Sequence, residues 1–152
     1  MAVDALETRY LIVEVNHQSF AISMRDVLVI HLLASPASAV SLPVEQSEET
    51  LAAIDLQYLL GQTTQLSPSI YAVVLATQTY LCAVTVNEVR PVSTVSPDDL
   101  MALPPLITQL KLPLSGIIHR SGSLILVLDV SALMQLMRHL SPGLVRERVY
   151  VA

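Results

Sequence analysis

The chain has 152 residues, of which 53% are hydrophobic and 14% charged, with a net charge of −5 and a mean hydropathy of +0.59. This length fits one domain or two very small ones. The longest apolar runs, 70–76 and 124–128, fall far short of the roughly 18 residues that span a membrane. The eight Lys and Arg are scattered and Trp is absent, which excludes the basic, aromatic face of nucleic-acid binders. An acidic N-terminus without a signal-peptide pattern and a single cysteine, Cys82, predict a cytoplasmic protein without a disulfide.

Short runs rich in Val, Ile and Leu predict strands rather than helices. We expect them, in chain order, at residues 9–15, 19–24, 27–33, 70–76, 80–86, 89–95, 114–120 and 123–128. Residues 34–50 are rich in Ser, Ala, Pro and Glu and are predicted as a long loop with at most short strand segments. Ser96 and Pro97, followed by two acids, have the pattern of a helix start. The pattern as a whole predicts a mainly β protein.

An internal repeat divides the chain into two similar halves. Residues 21–27 (AISMRDV) match residues 83–89 (AVTVNEV), and residues 54–60 (IDLQYLL) match residues 128–134 (LDVSALM). In both copies an apolar strand leads into an aspartate, Asp55 or Asp129, and then into a helical pattern. We therefore expect each aspartate to cap a short helix, with Gly61 ending the first one. A duplication of this kind predicts two small β-barrels or sheets that share one core.

No pattern in the sequence supports catalysis. The four glycines form no phosphate-binding loop, and the four histidines have no metal-ligand spacing. The most polar cluster, His119 to Gly122, is better explained as a hairpin turn, and capping already accounts for Asp55 and Asp129. We therefore predict no enzyme activity, no cofactor and no metal. So few charges leave apolar residues exposed, which favours a binding protein.

Four segments carry a resemblance to a known family. They are YLIVEVNHQSFAISMRDVLVI (10–30), IDLQYLLG (54–61), YAVVLATQTYLCAVTVNEVRPVSTV (71–95) and LSGIIHRSGSLILVLDVSAL (114–133). Together they resemble the CheW-like domain of bacterial chemotaxis systems over residues 9–136. The second half is the more similar, with Val86 to Val89 and the run from Gly116 to Asp129 following the family pattern.

The resemblance implies two packed SH3-like five-stranded β-barrels, with a short helix after the last strand of each. The whole chain would then be one CheW-like domain, with a first β-subdomain at 9–61, a second at 69–136 and a C-terminal tail at 137–152. It also implies a non-catalytic adaptor in two-component signal transduction. Its partners would be a histidine kinase of the chemotaxis type and the coiled-coil hairpin tip of a chemoreceptor.

Partner-binding residues are transferred from the family position by position. The receptor-binding groove maps to Val27, Leu28 and Ile30, and the loops that contact the kinase map to Asn87, Glu88, His119 and Arg120. The first half departs from the family at Ser47 and Glu48, where an Arg-Gly pair is usual. This departure leaves open whether both contacts exist and whether the pathway is chemotaxis, pilus motility or another.

Two alternatives to the adaptor follow from the sequence. The chain could be a regulatory domain that binds a small molecule in the groove between its halves. It could also be a self-assembling structural module, because residues 144–151 have a strand-like pattern that could pair with a neighbouring copy and form a homo-oligomer.

Overall fold

The computed structural model describes residues 8–33, 39–43, 50–61, 68–120 and 122–148, which form twelve strands and three α-helices. The strands are β1 (Thr8–Val15), β2 (Gln18–Ser23), β3 (Val27–Leu32), β4 (Ala39–Pro43), β5 (Thr50–Asp55), β6 (Tyr71–Ala76), β7 (Tyr80–Val86), β8 (Glu88–Val95), β9 (Leu100–Met101), β10 (Leu114–Arg120), β11 (Ser123–Leu128) and β12 (Arg146–Glu147). The helices are α1 (Leu56–Leu59), α2 (Pro105–Gln109) and α3 (Val130–Leu140), with 3-10 turns at Met24–Asp26, Pro97–Asp99 and Pro142–Leu144. A mainly β fold is therefore confirmed.

The strands form two sheets, and each sheet draws strands from both halves of the chain. The first has the order β8-β1-β2-β11-β10-β9, and the second has the order β3-β6-β7-β5-β4, with β12 also paired to β7. Two pairs are parallel, β2 with β11 and β5 with β7, and these join early strands to late ones. The division into subdomains at 9–61 and 69–136 stays a prediction about the repeat, since the sheets themselves cross it.

Neither sheet closes on itself within the described residues. The pairing runs from one edge strand to the other, from β8 to β9 in the first sheet and from β3 to β4 in the second. The expectation of two closed SH3-like five-stranded barrels is therefore not confirmed. The short helix expected after the last strand of each half is present, because α1 follows β5 and α3 follows β11.

The main core lies where strands of both sheets meet α1 and α3. Strand β1 directs Leu11, Val13 and Val15 into this core, while Tyr10 and Ile12 pack in a second cluster on its other face. Burial on both faces explains why β1 is a continuous apolar run rather than an alternating one. Helix α3 contributes side chains at helical spacing, namely Val130, Leu133, Met134 and Met137.

The two repeated aspartates differ in role. The carboxylate of Asp129 accepts a hydrogen bond from the backbone N–H of Ala132 at 3.1 Å, so it caps α3 as expected. Asp55 makes no such bond to α1. Its buried carboxylate instead accepts a hydrogen bond from the Thr85 hydroxyl on the neighbouring parallel strand. The predicted cap at Asp55 is wrong because a cross-strand donor takes the place of the helix N–H groups.

The described part of residues 34–50 agrees with the expectation of a long loop with at most short strand segments. Strand β4 lies inside it and pairs with β5, and the predicted departure at Ser47 and Glu48 lies outside the described residues. The strand-like C-terminal segment contributes β12, which pairs with β7 of the same chain. Residues 149–152 are outside the described ranges.

Candidate partner-binding surfaces

Strand β3 forms an exposed apolar edge of the second sheet. It pairs only with β6 among the described strands, and four of its six side chains are large, apolar and at least 36% exposed. We call these four residues the β3 surface: Leu28, Val29, Ile30 and Leu32. An exposed edge of this kind offers unpaired backbone groups together with apolar side chains, and contiguous exposed apolar groups mark interaction sites.

The three residues predicted to form a receptor-binding groove lie on this strand but differ in exposure. Leu28 and Ile30 are 40% and 38% exposed. Val27 is half-buried and packs against the main core. The register of β3 shifts between Val27 and Val29, and such an irregularity changes the direction of neighbouring side chains. Leu28 and Ile30 are thus accessible to a partner. Val27 instead packs against the main core.

Asn87 and Glu88, predicted to contact a kinase, lie where the chain passes from the second sheet to the first. Asn87 is buried, its side-chain oxygen accepts a bond from the backbone N–H of Asn16 at 2.6 Å, and its amide donates to the Pro68 carbonyl at 3.0 Å. These bonds give it a structural position. Glu88 is exposed and starts β8, paired with Glu14 of β1.

His119 and Arg120, the other predicted kinase-contacting residues, are exposed at the end of β10. His119 pairs across the hairpin with Leu124, which is 55% exposed. The Arg120 guanidinium donates to the Thr94 carbonyl at 2.7 Å on β8. His119 and Arg120 therefore lie at the end of a hairpin beside the exposed Leu124. They are more than 30 residues from Asn87 in sequence.

A second apolar surface was not predicted from the sequence. We call it the β9–α2 surface, and its members are exposed by between 36% and 77%: Leu100, Met101, Leu106, Leu110 and Leu112. Leu103 and Ile107 between them pack against the main core. Strand β9 pairs with β10 at Ile117 and Ile118, directly before His119. One feature of the sequence could have indicated this surface. The apolar segment around Pro104 and Pro105 is interrupted by these prolines and is too short and irregular to form a core strand or helix.

Metal-ligand clusters are absent from the described residues, and their cysteine is buried. No three His, Cys, Asp or Glu side chains among them gather in a way that could hold a metal ion. Burial raises the pKa of the Cys82 thiol to about 12, which keeps it protonated and unreactive. No helix in the described ranges is long and apolar enough to cross a membrane.

The described residues form two open β-sheets around a shared core, with exposed apolar side chains on β3 and β9. Comparison with known proteins gives the family. A sequence model of the CheW-like domain matches residues 9–138, and the chain belongs to that family. The scaffolding protein TtCheW from Thermoanaerobacter tengcongensis has a similar fold, with a TM-score of 0.61 and 11% sequence identity over 80% of this chain and 88% of that one. No curated protein matches the sequence. As a member of the family, the chain is an adaptor of the chemotaxis type.

Proposed function

We propose that this adaptor couples a histidine kinase of the chemotaxis type to the helical hairpin of a chemoreceptor, and that it does so without catalysis. The observation that supports the proposal is the β3 surface, an exposed apolar strand that pairs on one side only among the described strands and that includes Leu28 and Ile30, two of the residues predicted to bind a receptor. We propose the cytoplasm as the place of this coupling.

The β3 surface has the chemistry that a helical hairpin recognises. An amphipathic helix binds by inserting apolar side chains at intervals of three and four residues into an apolar groove. Leu28 and Ile30 offer branched side chains of the right kind, and the core contact of Val27 holds the strand in place. Most of the binding energy at such interfaces comes from a few central apolar groups, so a single charge introduced there should suffice to disrupt it.

The kinase-binding side is proposed at the edge of the first sheet. His119 and Arg120 provide a polar rim beside Leu124, and the β9–α2 surface provides exposed apolar groups on the adjoining strand. An apolar centre with a polar rim is the usual anatomy of a protein–protein interface. We assign no contact to Asn87, because its side chain is bonded inside the protein, and we keep Glu88 as an exposed candidate.

Affinity capture of the tagged chain from its native cells, followed by binding measurements with the purified kinase and receptor that are recovered, tests the proposal. We expect Leu28→Asp to weaken receptor binding about tenfold or more while kinase binding stays within twofold. Leu106→Asp, on the β9–α2 surface, is the matched variant and should give the opposite result. Circular dichroism and thermal unfolding of both variants separate lost contacts from lost folding.

Two results would contradict the proposal. One is wild-type chain that binds neither a kinase nor a receptor at concentrations of tens of micromolar. The other is a folded Leu28→Asp variant with unchanged receptor binding, which would remove the β3 surface from the interface. If Leu28→Asp unfolds the chain, Leu28→Gln makes the same measurement with a smaller perturbation.

Self-assembly, the structural alternative, receives less support from the structure. The described part of the C-terminal segment, β12, already pairs with β7 of its own chain, so it does not offer that edge to a neighbour. Light scattering across a hundredfold range of concentration measures the remaining tendency to oligomerise through the β3 surface.

A further inference from the structure

A polar cleft of about 990 Å³ opens between the first sheet and the turn that joins β6 to β7. A smaller cleft of about 430 Å³ shares Thr77, Gln78 and Ser131 with it, so the two form one continuous depression. This depression is lined by the starts of β1 and α3, the end of β2 and Arg148 after β12. It does not include the β3 surface or the β9–α2 surface. The larger cleft has the volume of an ordinary small-molecule site.

Cationic side chains are concentrated around this depression. All eight Lys and Arg of the chain lie in the described ranges, and four of them line it: Arg9, Arg25, Arg138 and Arg148. The described acids that line it are Asp26 and Asp129. The wall therefore carries a formal excess of positive charge in a chain whose net charge is −5. An excess of this sign raises the local concentration of anions.

Two of the arginines are held in place by contacts with the turn between β6 and β7 and with the first residue of β7. The backbone N–H of Arg148 donates to the Thr79 carbonyl at 2.8 Å, and its guanidinium donates to the Thr77 carbonyl at 2.9 Å. The Arg138 guanidinium lies 5.0 Å from the centre of the Tyr80 ring and donates to its hydroxyl at 3.3 Å. A binding site whose side chains are ordered in advance loses less conformational entropy when a ligand binds.

One of the two carboxylates already has a structural partner. Asp129 accepts the capping bond from Ala132. Asp26 follows Arg25 in sequence, and burial is the main influence that raises the pKa of its carboxyl, with Arg25 acting to lower it and Asp129 to raise it. An anionic ligand would meet two opposing carboxylates, Asp26 and Asp129, and four arginines that attract it.

We propose that this cleft binds a small polyanion, a ligand that carries phosphate or carboxylate groups, held by Arg25, Arg148 and Arg9 and by the hydroxyls of Ser23, Thr77 and Ser131. Guanidinium groups bind both classes of anion through paired hydrogen bonds. This site is separate from the proposed partner-binding surfaces, and it would give the adaptor a small-molecule input. The inference does not depend on the identity of the kinase or the receptor.

The test is a titration of the ¹⁵N-labelled chain at constant ionic strength with pyrophosphate and, separately, with citrate. We expect saturable shifts of the amides of Arg25, Thr77 and Ser131. Arg25→Gln should weaken binding about three- to tenfold, whereas Asp26→Asn should strengthen it about threefold, because it removes one of the two opposing charges. A purely structural role for these residues would not produce changes in opposite directions.

Arg90→Gln is the control for net charge. It removes the same charge outside the cleft, where Arg90 pairs with Glu14 at 2.6 Å, and it should leave affinity unchanged within twofold. Saturable binding of pyrophosphate alone assigns a phosphate ligand, citrate alone assigns a carboxylate ligand, and both assign a general polyanion site. No saturable shift with either probe at about 10 mM, or equal weakening by Arg90→Gln and Arg25→Gln, would overturn the proposal.

Discussion

The side-chain oxygen of Asn87 accepts a hydrogen bond from the backbone nitrogen of Asn16, at a separation of 71 residues in the chain. The backbone N–H of Asn87 also donates to the Glu14 carbonyl at 3.0 Å. Asn87 stands between β7 of the second sheet and β8 of the first, so these bonds fasten the β1–β2 hairpin at the point where the chain passes between the sheets. Asn87, which the family resemblance suggested as a kinase-contacting residue, thus makes hydrogen bonds within the protein that connect the β1–β2 hairpin to the β7–β8 junction.

Asn87→Ala should lower the free energy of unfolding by about 1–3 kcal/mol. The change removes the side-chain acceptor of the Asn16 N–H and the side-chain donor to the Pro68 carbonyl, two part-buried hydrogen bonds. Urea denaturation followed by circular dichroism measures the effect. Glu88→Ala, one residue further and exposed, is the control and should change stability by less than about 0.5 kcal/mol. A stable Asn87→Ala variant with lost kinase binding would instead restore Asn87 as a contact residue.

Asp129→Ala should destabilise the chain by about 1 kcal/mol through loss of the α3 cap, while Asp129→Asn should have little effect. Asparagine is as good an N-cap as aspartate because its side-chain oxygen accepts the same bond from Ala132. Thermal unfolding of the two variants distinguishes them. Equal destabilisation by both would mean that the charge of Asp129, rather than the capping bond, carries its effect.

The pair Asp55 and Thr85 should show coupling in a double-mutant cycle. Hydrogen bonds to charged groups are worth about 1.5–3 kcal/mol, and both partners are buried on adjacent parallel strands. The cycle needs Asp55→Ala, Thr85→Val and the double variant, each measured by urea unfolding. Additive changes in the free energy of unfolding would show that the bond contributes no net stability.

The Cys82 thiol should resist modification in the folded chain. It is fully buried, and the pKa rises from its ordinary 9.0 to about 12, so at pH 8 an aromatic disulfide reagent should react only on unfolding. The folded state binds the proton more tightly. The contribution of the protonated Cys82 thiol to the free energy of unfolding is therefore fully present below pH 9 and is lost as the pH rises from 9 towards 12. Reaction within seconds in native buffer would contradict this expectation.

Gly122→Ala should destabilise the β10–β11 hairpin by about 1–2 kcal/mol, because Gly122 has a φ of +77°, where a side chain is strained. Gly143→Ala is the matched control, since a Cβ there meets no atom within 4 Å and its φ is not in the left-handed region. Gly122→Asn should fall between the two, as asparagine tolerates this conformation better than alanine. Equal stabilities for all three would show that the turn relaxes.

The sequence allowed most strands to be predicted to within one or two residues, because apolar runs and turn residues alternate clearly. Asn16 and His17, with φ of 48° and 67°, form the turn between β1 and β2. Strand β4 was harder to predict, since its residues lie among Ser and Pro and its pairing depends on the distant β5. Local sequence patterns indicate the propensity of a segment to form a strand, whereas the pairing of strands depends on contacts in the folded chain.

The candidate site was predictable only in part, for the same reason. Leu28 and Ile30 were selected by resemblance, and their exposure could not be read from an apolar strand pattern that fits a buried strand equally well. The β9–α2 surface was missed because Leu106 and Leu110 resemble core residues in composition. The two aspartates looked equivalent in the repeat, and only the neighbour of Asp55 across the sheet made them different.

The parallel pairing of β2 with β11 has a consequence for how the chain is made. Phe20 aligns with Leu126, more than a hundred residues later. During synthesis, β2 therefore cannot form this pairing until β11 has left the ribosome. Until then β2 is an open edge available to other strands. A chain truncated before β11 would therefore expose this strand edge and tend to aggregate. We therefore expect fragments that lack β11 to be bound by chaperones and degraded by proteases.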